Sequence, residues 1–134
     1  MTKISDIEGI GPAIGAKLSE AGVESVEDLL TQCCDKDGRK WVSERSGVSE
    51  SQLLKFANMA DLYRVKGVGS EYAELLEAAG VDTIKELRHR VPENLQAKMA
   101  EVNEQKKLVR QTPSLSRVED WVKQAKDLPR VITH

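Results

Sequence analysis

The residues whose spacing could do chemistry in this chain are glycines. They stand two apart in Ile7-Glu8-Gly9-Ile10-Gly11 and again in Val65-Lys66-Gly67-Val68-Gly69. Glycine there permits unusual backbone angles and close approach, while the flanking apolar residues anchor the turn. A turn of this kind beside a helix N-terminus presents consecutive backbone N–H groups. These attract an anion such as a nucleic-acid phosphate. The competing reading is a structural turn that lets two helices pack closely. Glu8 favours that reading for the first pair, because a carboxylate beside the site repels phosphate. The second pair is followed by Glu71, Glu74 and Glu77. Lys106, Lys107 and Arg110 form a separate cationic cluster, read either as a phosphate contact or as a solvated helix face.

Both pairs sit in a duplicated block. Gly9, Gly11, Leu18, Ala21, Gly22 and Val23 reappear 58 positions later as Gly67, Gly69, Leu76, Ala79, Gly80 and Val81. Ser25, Val26 and Leu29 return as Thr83, Ile84 and Leu87, so about two dozen residues repeat without a gap. Each block predicts a helix stopped by Gly22 or Gly80, then a short helix capped by Ser25 or Thr83. Pro12 suits a first helical turn. An Asp-rich start and Gly47 bracket a helix carrying Trp41, Val42 and Arg45. Ser49 with Gln52 opens another, with Leu53, Leu54, Phe56, Ala57 and Ala60 on one face. Leu95, Met99 and Val102 share a face in the second half, as do Val118, Trp121, Val122 and Ala125 in the last helix. "ADLYRV" at 60–65 echoes "KDLPRV" at 126–131. The offset there is larger, so the second copy holds eight extra residues, placed within "NEQKKLVRQ".

No segment alternates as a sheet strand does, and the expected fold is all-α. The expected organisation is two repeats, 1–64 and 65–134, packed as one helical domain in which each half covers the other's apolar face. Trp41 and Trp121 are expected in the core rather than stacked on bases.

The net charge of −2 argues against a bulk electrostatic nucleic-acid binder. The charge is uneven, however: from Gln105 onward 7 basic residues face 3 acidic ones. No apolar run is long enough to cross a bilayer, and the N-terminus lacks the pattern of a secretory signal. Adjacent Cys33 and Cys34 cannot readily pair with each other and fit a reducing cytosol, so the expected location is cytoplasmic. His89 and His134 are far from them in sequence, and no metal-ligand spacing appears. "GIGPAIG" misses the dinucleotide fingerprint and follows no strand. No nucleophile or paired acid accompanies His89. The chain is therefore expected to be no enzyme, with no catalytic residues, no metal and no cofactor.

With its glycines, the trailing Ala-x-x-Leu and the closing Gly-Val, each block resembles a helix-hairpin-helix unit. Over its whole length, including "LLKFANMADL" and the Trp121 helix, the chain resembles a bacterial and plastid group of paired helix-hairpin-helix proteins catalogued as a domain of unknown function. That resemblance implies hairpin amides that hold a DNA backbone without reading bases, aided by nearby basic residues. It also implies hairpin carbonyls able to hold a monovalent cation. Carried over, the nucleic-acid candidates are Arg64, Lys66, Gly67, Val68 and Gly69, joined by Lys106, Lys107 and Arg110. Gly9, Ile10, Gly11 and Lys17 form a weaker set at the first hairpin. Two functions are expected in competition. One is a sequence-nonspecific nucleic-acid module, with DNA favoured; the other is a protein-interaction or scaffold module that keeps the fold alone. No membrane partner is expected.

Overall fold

Helices begin where the sequence supplies a cap. In the computed structural model, which describes residues 3–7 and 9–133, the Ser25 hydroxyl accepts a hydrogen bond from Asp28 N at 3.0 Å and opens α2 (Val26–Gln32). Asp35 Oδ1 accepts from Gly38 N at 2.7 Å at the start of α3 (Lys36–Ser46). Ser49 Oγ accepts from Gln52 N, and its hydroxyl donates to Gln52 Oε1, a side-chain variant of the capping box, as α4 (Glu50–Leu62) begins. Thr83 and Ser114 cap α6 (Ile84–Leu87) and α8 (Leu115–Asp127) in the same way. Each such cap stabilises its helix by about 1 kcal/mol. The remaining helices, α1 (Pro12–Glu20), α5 (Ser70–Ala78) and α7 (Pro92–Lys106), start without a side-chain cap, two of them on a proline.

The expected all-α class holds. Among the described residues there are eight α-helices and a 3-10 turn at Ile4–Asp6, with no strand beyond one isolated antiparallel bridge between Lys3 and Ser25. Two expectations lie outside the described residues: the repelling carboxylate of Glu8, and the distance of His134 from the thiols.

The chain forms two units, one of Met1–Asp61 with Val131–His134 and one of Leu62–Arg130. In the first, α1 and α2 pack on α3, and Leu18, Val23, Leu29, Val42, Leu53 and Ala57 are fully buried. In the second, α7 packs against α5 and α8, and α6 against α8. Leu75, Leu76, Val81, Ile84, Met99 and Val118 fill its interior. The face predicted for the last helix is the buried one, with Val118, Trp121, Val122 and Ala125 inside.

The duplication is exact down to individual backbone bonds. Ile10 N donates to Ile7 O at 3.1 Å, and Val68 N to Val65 O at 3.1 Å. Val23 N reaches Leu18 O at 2.8 Å, as Val81 N reaches Leu76 O at 2.8 Å. Gln32 Nε2 donates to Gly22 O and its counterpart Arg90 Nη2 to Gly80 O, each at 3.1 Å. The 58-residue offset aligns Gln32 with Arg90, and their shared acceptor shows that two unlike side chains make the same contact.

One buried cation organises the first unit. Arg39, 3% exposed, donates from Nη1 to Cys33 O at 3.0 Å and from Nη2 to Thr133 O at 2.8 Å. Thr133 N donates in turn to Cys34 O at 2.8 Å, so the end of the second repeat is tied into the first unit. Beside this knot the Cys33 thiol is buried, and that burial pushes its pKa from 9.0 to about 11 despite the nearby Arg39 charge. The folded state therefore holds this proton more tightly than the unfolded chain. The stability associated with the neutral thiol is complete below the unfolded pKa and falls as pH rises toward 11. Cys34 is only half-buried. At neutral pH the native protein is expected to be alkylated at one thiol, Cys34, and the denatured protein at both, counted by mass spectrometry.

Trp41 corrects the sequence expectation. It is 46% exposed, with the Arg45 guanidinium stacked 3.7 Å from its ring centroid. The four-residue spacing on α3 puts Arg45 one turn from Trp41 and lets the cation cover the indole in place of a core. Trp121 is 1% exposed, as expected.

Candidate functional site

The two glycine turns have the same construction. Gly9 (φ +94°) and Gly67 (φ +96°) adopt the left-handed backbone that side chains rarely take. Each also lies against an aromatic ring. A Cβ at Gly9 would stand 3.2 Å from Phe56 Cε1, and one at Gly67 would stand 3.0 Å from Trp121 Nε1. Glycine is thus required at both turns by packing and by conformation together. This satisfies the structural reading of the motif at both hairpins, whatever else the second does.

The second turn is further fixed by Gln124 on α8. Its Oε1 accepts from Lys66 N at 2.8 Å and its Nε2 donates to Lys66 O at 3.1 Å. Asp120 Oδ2 holds the same Nε2 at 2.8 Å. The backbone of Lys66 is therefore engaged, while its side chain is exposed. Val68 is buried and its N–H is bonded to Val65 O, so it anchors the turn and offers no amide to an anion. Ile10 does the same in the first turn. Gly67 and Gly69 are exposed, and among the described residues no hydrogen bond uses their N–H groups. Gly69 leads into α5, whose first turn carries no side-chain cap.

A difference between the copies falls at that helix start. The first position of α1 is Pro12, which has no N–H; the equivalent position of α5 is Ser70, which has an N–H and a hydroxyl. The second copy therefore has one more backbone donor at its helix N-terminus. Gly9, Gly11 and Lys17 are exposed at the first copy.

Around α5 the second unit collects cations. Glu71, in the first turn, lines a cleft of about 520 Å³ together with Asn103, Glu104, Lys107, Leu108, Val109 and Arg110. Lys107 and Arg110 thus come to the same region as the second hairpin, whereas Lys106 is exposed and does not line the cleft. Arg64 is half-buried and interacts within the fold. Sequence reasoning missed Arg117. Its Nη1 donates to the Tyr72 hydroxyl at 3.1 Å, with its guanidinium 5.6 Å from that ring's centroid. Tyr72 in turn packs on Trp121 with ring centroids 5.2 Å apart. Arg117 stood in the basic tail count, but nothing in one dimension linked it to a tyrosine 45 residues earlier.

Among the described residues no group of three or more His, Cys, Asp or Glu could hold a metal ion, and no helix is long and apolar enough to cross a membrane.

Comparison with curated proteins returns no match. Comparison with solved structures likewise returns none. A family model covers both repeats from residue 8 to residue 128, most of the chain. The protein therefore belongs to the family described as a domain of unknown function, DUF4332.

Proposed function

We propose that this protein is a non-enzymatic, sequence-nonspecific nucleic-acid-binding module of the helix-hairpin-helix kind, with DNA favoured and the second hairpin as its backbone grip. The observation that carries the reading is the uncapped start of α5. The exposed Gly67 and Gly69, the exposed Lys66 side chain, and Lys107, Arg110 and Arg117 surround it within one unit. Backbone N–H groups at a helix start favour an anion, and phosphate binding to the cations around them releases counterions. The first hairpin, with Pro12 at its helix start, acts as a structural turn. Free Cys33 and Cys34 fit a cytoplasmic setting for this activity.

Fluorescence anisotropy with labelled single- and double-stranded DNA tests the reading. With three phosphate contacts, raising salt from about 50 to 200 mM is expected to weaken single-strand binding about 20-fold and duplex binding about 40-fold. Lys66→Glu is expected to weaken both about 10-fold, whereas Lys17→Glu, the same charge change at the first hairpin, leaves them unaltered. Equal loss in the two variants would reduce the effect to bulk charge, and absence of binding at the lower salt would remove the proposal.

A second reading, a protein-interaction module, is favoured by Trp41. Trp41 is exposed with Arg45 stacked on it, and tryptophan and arginine are among the residue types enriched at the energetic centres of protein interfaces.

A further inference from the structure

The eight residues by which the second repeat exceeds the first are expected within "NEQKKLVRQ", and the cleft beside α5 is built largely from that stretch: Asn103, Glu104, Lys107, Leu108, Val109 and Arg110 line it. The insertion is ordered. Asn103 Oδ1 accepts from Val109 N at 2.9 Å and Asn103 Nδ2 donates to Val109 O at 3.0 Å, so one side chain holds both backbone polar groups of a residue six positions away. Lys107 closes α7 at φ 51°, ψ 47°, and among the described residues it is the one non-glycine with positive φ. A lysine rarely takes this backbone conformation, and such strain is retained where the surrounding structure fixes it, commonly at ligand sites.

The lining is chemically mixed. Leu108 and Val109 supply apolar surface, Glu71 and Glu104 acceptors, Lys107 and Arg110 cations. Among the described residues none of these four charged side chains has an ion-pair partner. Charges of both signs brought to one cleft without pairing suit a ligand that carries an anion, hydrogen-bond donors and an apolar face at once. The volume of about 520 Å³ lies within the range of small-molecule sites, roughly 300–1,000 Å³.

Building on the proposed backbone grip at the second hairpin, we propose that the insertion cleft accepts one unstacked nucleotide of a single strand whose base bears an exocyclic amino group. The phosphate side meets Lys107 and Arg110, the base face rests on Leu108 and Val109, and the amino group donates to Glu104. Glu71 belongs both to the cleft and to the first turn of α5, so a strand held at Gly69 reaches the cleft through the adjacent nucleotide. A duplex cannot enter in this way because its bases are stacked and paired.

The test uses the full chain and labelled oligomers of about ten nucleotides, within the site sizes seen for single-strand binders. Oligo-deoxycytidine and oligo-deoxyadenosine are expected to bind about fivefold more tightly than oligo-deoxythymidine, which has no amino group, and more tightly than duplex. Glu104→Ala, at an exposed helical position, is expected to remove the preference over thymidine while leaving helical content unchanged. Equal affinity for all strands and duplex, or a preference that survives Glu104→Ala, overturns the cleft assignment and leaves the backbone grip standing. Failure of every nucleic acid to bind overturns both.

Discussion

Replacing Trp121 with alanine is expected to destabilise the second unit by about 3–5 kcal/mol, a large part of the stability of a small helical unit. The expectation rests on the burial of one side chain and on two contacts that it makes. Trp121 is 1% exposed, lies under Gly67 of the second hairpin, and packs at 56° against Tyr72 on α5. Its removal leaves a cavity where the turn, α5 and α8 meet. Urea denaturation followed by circular dichroism measures the loss. The two tryptophans also separate optically, because Trp41 is exposed and Trp121 is not. In the wild type, a red shift on unfolding comes from Trp121; in Trp121→Ala the remaining emission from Trp41 should start near its unfolded wavelength. A loss below about 1 kcal/mol would mean that the hairpin is not seated on the indole.

Gly38→Ala is the second large effect, and its sign opposes helix propensity. Alanine in a helix is ordinarily favoured over glycine by about 1 kcal/mol. Gly38, however, lies in the first turn of α3, where a Cβ would overlap the Gln32 carbonyl oxygen at the end of α2. Backbone cannot swing aside as a flexible side chain can, so the start of α3 must move. That movement disturbs the Asp35 cap and the approach of Arg39 to Cys33 O. A net loss of about 2–3 kcal/mol is expected from this overpacking. Thermal unfolding compared with Gly47→Ala, where a Cβ meets nothing within 4 Å but φ is +79°, separates steric overlap from backbone strain. A stabilised Gly38→Ala would show that the turn between α2 and α3 yields at little cost.

How far the sequence reveals this protein depends on the range of the interaction. Ser25, Thr83, Ser49 and Gln52 act within four residues of themselves, and their caps were legible because capping is local chemistry. Buried faces such as Leu95, Met99 and Val102 were legible from spacing. Trp41 was not: composition made a core role the sensible expectation, but the side chain that covers it is its own helical neighbour Arg45. The candidate site divides in the same way. The glycine turns were visible as repeats, and their left-handed angles follow from residue type. The occupation of the Lys66 backbone by Gln124, 58 residues on, was not visible. Nor was the meeting of Glu71 with Lys107 and Arg110 in one cleft. Both are tertiary facts that one-dimensional spacing does not encode.

The bond from Arg39 to Thr133 spans 94 positions and has a consequence for the order of events during synthesis. The whole of Leu62–Arg130 leaves the ribosome before the residues that complete the first unit. Until residue 133 emerges, a buried guanidinium lacks one of its two carbonyl acceptors, and Cys34 O lacks its donor. The second unit can therefore finish folding first, although it is made later, and the opening half waits in an incomplete state. Closing so long a loop is entropically slow, which makes this contact a late step of folding and the first unit the one exposed longest to chaperones and proteases.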